Sequence, residues 1–508
     1  MSFLLSGLGL LLWAASMQVA PALDPVSLWL DDLWVATLVK HASLSQLVWL
    51  HAPTPYGFVA LLKLIRGVFG DGHLQLQAAP VCARLAAIAG LGVVTYELTR
   101  HAGLGLLAAV GMALQYEIAE QAVRIKPYAM DACISVALLG LGVYCLRRPS
   151  SVRLLAFGAF WLLALPCSFP SAFVGPPLFS LCALFHALDT RHAQPRRALR
   201  ALTIAAVVDA LGAALLFWMV QQKTTPALQE FWSQYYPATD RLRHFKAFFV
   251  SGPGRDFLSA AFEPARYLAL LMPVGLVLLL RTRWTRPLAC FAILLLVAVV
   301  ASASLRLYPL GSPRLDSFVR PIEICLAVVA LRPLTRGRPF RLAAHALCGV
   351  LLLWAANRVR HQVVAYVPAG EKPLAAMVQR GLEDADTGLL LFSWATWAFA
   401  YYTNVPVQLV PVQDSTNGYF ALPQRPNSLV LRERWNGVFF SDYAHDKRAF
   451  NEQIAPLMAA GLRRIAFYGS YGDPADYRAM LRHLRKQHYE IVKQKARHKA
   501  IAVLLERR

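Results

Sequence analysis

The feature that most constrains this chain is a succession of apolar stretches, each near the length at which a helix crosses a bilayer. They lie at residues 1–23, 78–97, 103–120, 128–146, 154–169, 171–188, 200–220, 265–280, 288–305, 318–331 and 342–356. An α-helix rises 1.5 Å per residue, so about 20 apolar residues cross a hydrocarbon core of about 30 Å. Composition agrees: 57% of the 508 residues are hydrophobic and 16% are charged, against about 25% charged in soluble globular chains. Mean hydropathy is +0.44. A soluble multidomain enzyme is excluded, and 30 Gly and 31 Pro without a period exclude collagen-like and disordered classes. The expectation is a polytopic integral membrane protein.

The 51 Lys and Arg against 29 Asp and Glu give a net charge of +22. On a soluble surface such an excess attracts phosphates, but no nucleic-acid recognition motif accompanies it, and no nucleic-acid partner is expected. Most of these bases fall in short loops between apolar runs, where the positive-inside bias places them and where they meet anionic lipid headgroups. Each of the eight cysteines lies in or beside an apolar run without metal-ligand spacing, as packing residues do.

Residues 1–23 carry no charge and lack the basic start of a cleavable leader, so they read as a first transmembrane helix. With the N-terminus cytoplasmic, Arg100-His101, Arg147-Arg148 with Arg153, and the basic loops 191–200, 281–286 and 332–341 all fall on the inner side. Tyr56 to Gly70 is apolar but contains Lys63 and Arg66, costly at a helix centre. It reads as an interfacial or re-entrant helix whose bases snorkel to headgroups. The expected fold is therefore mostly α: a transmembrane bundle of about 11 helices, or 13 if this segment and another short span cross.

From Arg358 onward the chain turns polar, with 21 Lys and Arg against 13 Asp and Glu. Short apolar strands at 388–393, 406–410, 428–431, 464–468 and 501–505 alternate with helical stretches, the pattern of a small α/β domain. The expected division is residues 1–357 as the membrane module and 358–508 as an extracytoplasmic domain.

The outer segments hold the unusual residues. The first loop contains Asp31 and Asp32, then His51-Ala-Pro53-Thr-Pro55-Tyr56; paired acids serve either as base and hydroxyl-orienting group, with or without a divalent ion, or as a solvated helix cap. Next comes Arg124-Ile-Lys126-Pro127-Tyr128-Ala-Met-Asp131, whose bases suit a phosphate or anchor at headgroups. A third group runs from Arg306 through Tyr308-Pro309 to Arg314, Asp316 and Arg320. The 221–263 loop adds aromatics and bases, fit either to guide an anionic lipid or to form an aromatic belt.

An acidic pair after the first helix, the HxPxxY stretch, Arg84 in the next helix, Lys-Pro-Tyr-x-x-Asp and Tyr-Pro-x-x-x-x-Arg together resemble the GT-C glycosyltransferases. The likeness is to the protein O-mannosyltransferase and aminoarabinose-transferase-like branch, over about residues 1–330. It implies a GT-C-like bundle that moves a sugar from a polyprenyl-phosphate donor to a glycan, lipid or protein acceptor, with inversion; size and composition favour a bacterial inner membrane. It also implies Asp31 as general base with Asp32 in place of the family's Glu, Lys126, Arg124 and Arg314 toward the donor phosphate, Arg84 either toward the same phosphate or in a structural role, and His51, Tyr56, Tyr128, Asp131 and Tyr308 along the substrate. No cofactor is required; a divalent cation is compatible with the two acids. The alternative is a transporter or flippase of a lipid-linked or anionic substrate. The absence of an internal repeat and the gathering of polar residues at helix ends rather than mid-membrane argue against it.

Overall fold

The computed structural model describes residues 9, 28, 30–50, 53–190, 194–223, 226–238, 242–259, 266–312, 314–336, 371–392, 394–412, 418–431, 447–470, 474–497 and 500–508. The expected first and last spans (1–23 and 342–356), the 357/358 boundary and His51 lie outside the described residues.

Five described helices are long and apolar enough to cross a membrane. They are α4 (His73–Thr99), α7 (Tyr128–Arg147), α9 (Ser171–Thr190), α10 (Pro195–Lys223) and α15 (Arg286–Ser304). Between them lie α5 (Ala102–Ala113), α6 (Tyr116–Ala122) and α8 (Ser151–Ala164), then α11 (Pro226–Phe231), α12 (Leu242–Val250), α13 (Pro253–Ser259) and α14 (Leu271–Arg281); α16 (Arg320–Ala330) follows α15. The protein is an integral membrane protein with a mostly helical fold. The expected 103–120 span differs: its helix stops at Ala113, and Gln115 precedes the separate α6. Twelve residues of helix rise only about 18 Å, so α5 does not reach across a bilayer by itself.

Ahead of α4, the first loop folds into three short helices: α1 (Leu30–His41), α2 (Leu44–Trp49) and α3 (Tyr56–Phe69). A capping box starts α2, with the Ser43 hydroxyl accepting from the Gln46 amide at 3.1 Å and the Gln46 side chain accepting from the Ser43 amide at 2.8 Å. On α3, Phe58, Val59 and Leu62 are buried while Leu64, Val68 and Phe69 are exposed. Its bases do not snorkel. Lys63 donates to the carbonyls of Val39 (2.9 Å) and Ala42 (2.5 Å), and Arg66 donates to Lys40 O at 2.9 Å and pairs with Asp71. The last carbonyls of α1 lack intrahelical partners, and these two cations supply them.

The C-terminal domain is α/β. Its five-stranded sheet runs β4-β1-β5-β7-β6, with β1 (Thr387–Phe392) parallel to β4 (Ser428–Leu431) and to β5 (Arg464–Ser470). Strand β7 (Ala500–Arg507) is antiparallel to β5 and to β6 (Tyr489–Arg497). β2 (Val407–Pro411) and β3 (Tyr419–Pro423) form a separate antiparallel pair. Four helices accompany it among the described residues: α17 (Glu371–Gly381), α18 (Ala395–Tyr402), α19 (Lys447–Ala459) and α20 (Pro474–Lys486). Five strands fall where the apolar runs place them. β6 reads YEIVKQKAR and is largely exposed at the sheet edge, so it carries no alternating apolar signal; charged side chains are what an edge strand needs to resist pairing with other chains.

The described apolar residues form two cores. One joins α4 to α10 with α14, α15 and α16. The other joins the C-terminal domain to Leu28–Ala79, including α1, and to Ile125. Met130 packs against both. Helices approach closely where side chains vanish: a Cβ on Gly275 of α14 would stand 1.9 Å from the Leu326 carbonyl oxygen of α16, a backbone contact that no rotamer relieves. Gly275→Ala should therefore cost about 1–3 kcal/mol, seen as a lower melting temperature of the detergent-solubilised protein; an unchanged melting temperature would show that this crossing relaxes freely.

Candidate active site

The first turn of α1 carries Asp31 and Asp32, the end of a helix that favours negative charge. Adjacent helical residues diverge by about 100°, and the two carboxylates meet different surroundings. Asp32 is 2% exposed and accepts the Ile125 amide at 2.9 Å. The Asp31 side chain stays 26% exposed and faces two cations: Lys126 Nζ at 3.9 Å and Arg314 Nη1 at 3.4 Å.

Each cation rests on an aromatic face. Lys126 Nζ lies 4.2 Å from the ring centre of Trp34, and the Arg314 guanidinium lies 5.3 Å from that of Trp232. Such contacts hold a charge in place without adding a second negative charge. Trp34 stands three residues after Asp31, on the neighbouring face of the same helix, so one turn of α1 supplies both the carboxylate and the platform for its partner. Arg124 pairs with Glu120 and is, with Lys126, a cation acting on Asp32. Burial lowers the Lys126 pKa from the ordinary lysine value, while Asp31 and Asp32 pull it back up.

Arg314 sits on a braced loop. Asp316 Oδ2 accepts the Gly311 amide at 2.8 Å, and Arg320 Nη1 binds Glu323 at 2.9 Å and the Phe257 carbonyl at 2.7 Å, with Asp316 3.9 Å from its Nη2. The Arg320–Glu323 pair is buried.

No family model matches the sequence, and no curated protein matches it; similarity is found in the fold. ArnT from Cupriavidus metallidurans bound to undecaprenyl phosphate is 14% identical, with 97% of this chain and 97% of that one covered and a TM-score of 0.52. Its apo state gives 14% identity, 99% and 97% coverage and a TM-score of 0.56. The Archaeoglobus fulgidus oligosaccharyltransferase in the apo form gives 12%, 91% and 69%, with a TM-score of 0.50. The fold is similar to that of these GT-C enzymes.

Within this fold, the residues singled out from sequence separate into two groups. Asp31, Asp32, Arg124, Lys126 and Arg314 converge, and the Tyr128 phenol lies within electrostatic reach of Arg314, Asp31, Asp131 and Arg124. Asp131, one turn into α7, is buried beside Ser168 rather than among the bases. Tyr308 donates its hydroxyl to the Leu315 carbonyl at 2.8 Å and packs on Phe173 and Phe318. Tyr56 reaches the Val48 carbonyl at 3.4 Å and the Trp218 ring. Arg84 is 1% exposed and donates to the Ala113 carbonyl at 2.7 Å; no described contact joins it to Asp31, Lys126 or Arg314. Trp34 and the Ile125 amide are site members that the sequence reading did not assign, whereas Trp232 belongs to the 221–263 aromatics that it singled out. Trp34 had a signal, its helical spacing from Asp31.

No three His, Cys, Asp or Glu side chains converge among the described residues. Asp31 already faces two positive charges, and Asp32 is closed off by burial and an amide.

Burial pushes the Asp32 carboxyl from 3.8 up to about 6, against the lowering pull of Arg124 and Lys126. Between those values the folded state holds a proton that the unfolded state has lost, so this carboxyl's contribution to stability falls as pH rises through the window. Asp32→Asn cannot ionise. Its stability relative to the parent should rise between pH 4 and pH 8, by on the order of 3 kcal/mol, in thermal unfolding at both pH values. A difference independent of pH would mean that Asp32 is not the group that titrates.

Proposed function

We propose that this protein is a membrane glycosyltransferase that moves a sugar from a polyprenyl-phosphate-linked donor to an acceptor hydroxyl on a glycan, lipid or protein. The observation that carries the reading is one partly exposed carboxylate, Asp31, facing two cations, Lys126 and Arg314, in a fold shared with an undecaprenyl-phosphate-bound enzyme. The site lies at the end of the bundle that carries the C-terminal domain, which in this reading is the extracytoplasmic side of a bacterial inner membrane.

The chemistry follows from charge. The acceptor oxygen bonds to the anomeric carbon as the bond from that carbon to the phosphate oxygen breaks, and the acceptor proton passes to Asp31. Negative charge then gathers on the departing phosphate, where Lys126 and Arg314 meet it. Before donor binding these cations neutralise Asp31. A bound phosphate competes for them, which leaves the carboxylate free to accept a proton when donor and acceptor are both present. Lys126 and Arg314 differ in kind: the planar guanidinium suits two phosphate oxygens, whereas the ammonium acts as a point charge.

The test supplies purified protein with a panel of polyprenyl-phosphate monosaccharides and a cell-envelope extract, and measures released polyprenyl phosphate by mass spectrometry. Asp31→Asn should abolish release from the productive donor, and Lys126→Ala or Arg314→Ala should reduce it by about 10² to 10³. Near-normal release by Asp31→Asn would remove this carboxylate from the mechanism. Lipid binding without release from any donor would favour a transporter.

A further inference from the structure

The helix that carries Asp31 is held by the C-terminal domain along its whole length. At its start the Leu28 amide donates to the Tyr402 hydroxyl at 2.5 Å, and the Tyr419 hydroxyl donates to the Trp34 carbonyl at 2.5 Å. Midway, the Thr37 hydroxyl donates to the Trp397 carbonyl at 3.1 Å. At its end Lys40 Nζ donates to three carbonyls, Ala400 (3.3 Å), Tyr401 (2.6 Å) and Thr403 (3.0 Å), and the His41 ring meets Ala400 O at 2.9 Å. These carbonyls end α18, where the helix dipole favours a cation. Leu33, Val35, Ala36 and Val39 are fully buried in the core shared with that domain.

We propose that the C-terminal domain positions the catalytic carboxylate, with Lys40 and Tyr419 as the positioning residues. Neither is expected to touch substrate. Tyr419 fixes the backbone at Trp34, whose ring supports Lys126; Lys40 fixes the far end of α1, and with it the rotation that turns Asp31 toward Lys126 and Arg314. The proposal rests on the reading of Asp31 as the base. It assigns to this domain a part in the chemistry that a separate acceptor-binding module would not have.

Amide exchange of residues 30–41 and turnover per folded full-length protein test it together. Lys40→Met should speed exchange across α1 and lower kcat by about tenfold while leaving the donor KM nearly unchanged, since small misplacements of a reacting group cost rate more than binding. Lys40→Arg, which keeps a cation for the same carbonyls, should restore most of both. Tyr419→Phe, which keeps the ring, should lower kcat by about threefold. The comparison variant is Arg425→Met. Arg425 bonds the carbonyls of Leu382, Asp384 and Thr387 within the domain, so its loss should lower the melting temperature with α1 exchange and kcat unchanged. Lys40→Met and Tyr419→Phe proteins that match Arg425→Met in α1 exchange and kcat would overturn the proposal. A parent protein that releases no polyprenyl phosphate, with the exchange contrast intact, would instead overturn the glycosyltransferase reading.

Discussion

A carboxylate withdrawn from water has to be met by cations or by N–H groups, because ionisation in a low-dielectric setting is otherwise too costly. The first turn of α1 poses this problem twice, at Asp31 and Asp32, and the surrounding structure is arranged around the two answers. Asp32 takes a backbone amide from Ile125 and anchors the α6–α7 connection to α1. That connection then delivers Lys126 to Asp31, and the loop ahead of α16 delivers Arg314 from the other side. Both cations are long and flexible side chains, and each loses its freedom against an indole ring, which confines the charge while leaving it available to an anion.

A related difficulty arises where helices end. α1 stops inside the protein rather than in water, so its last carbonyls need donors. Lys63 and Arg66 of α3 provide them, while Lys40, on α1 itself, serves the end of α18. Cations that look misplaced in an apolar amphipathic segment are thus fixed by carbonyls of a neighbouring helix. The arrangement ties three short helices and the C-terminal domain into one unit, without which α1 would be an isolated 12-residue helix, marginal in water.

What the sequence makes legible follows the range of each interaction. Membrane-spanning helices announce themselves by local composition, and the pair Asp31-Asp32 stands out because acids are scarce between apolar runs. The strand β6 is hidden because an exposed edge needs no apolar alternation. Lys63 and Arg66 mislead because snorkelling and carbonyl capping demand the same residue types, and only the position of α1 decides between them. Arg84, for which motif order leaves a phosphate contact and a structural role open, meets a helix-end carbonyl at Ala113. The bonds from Tyr419 to Trp34 and from Lys40 to the end of α18 join residues more than 300 positions apart; no local pattern encodes such pairings.

The location of the site has a mechanical consequence. Ile125 belongs to the core shared with the C-terminal domain, Ala129 belongs to the core of the helical bundle, and Lys126 lies between them on a connection stiffened by Pro127. Asp31 rides on the first core, while Arg314 rides on the loop braced against α16 in the second. The carboxylate and its two cations therefore span the seam between two packed bodies. Packed cores resist continuous deformation, so displacement between them would bear on the contacts that cross the seam, among them the packing of Met130 on both sides and the Asp31–Arg314 ion pair. In the proposed reading, a phosphate that draws Lys126 and Arg314 together would oppose that displacement, and its departure would release it, which would link the charge of the leaving group to the geometry of Asp31.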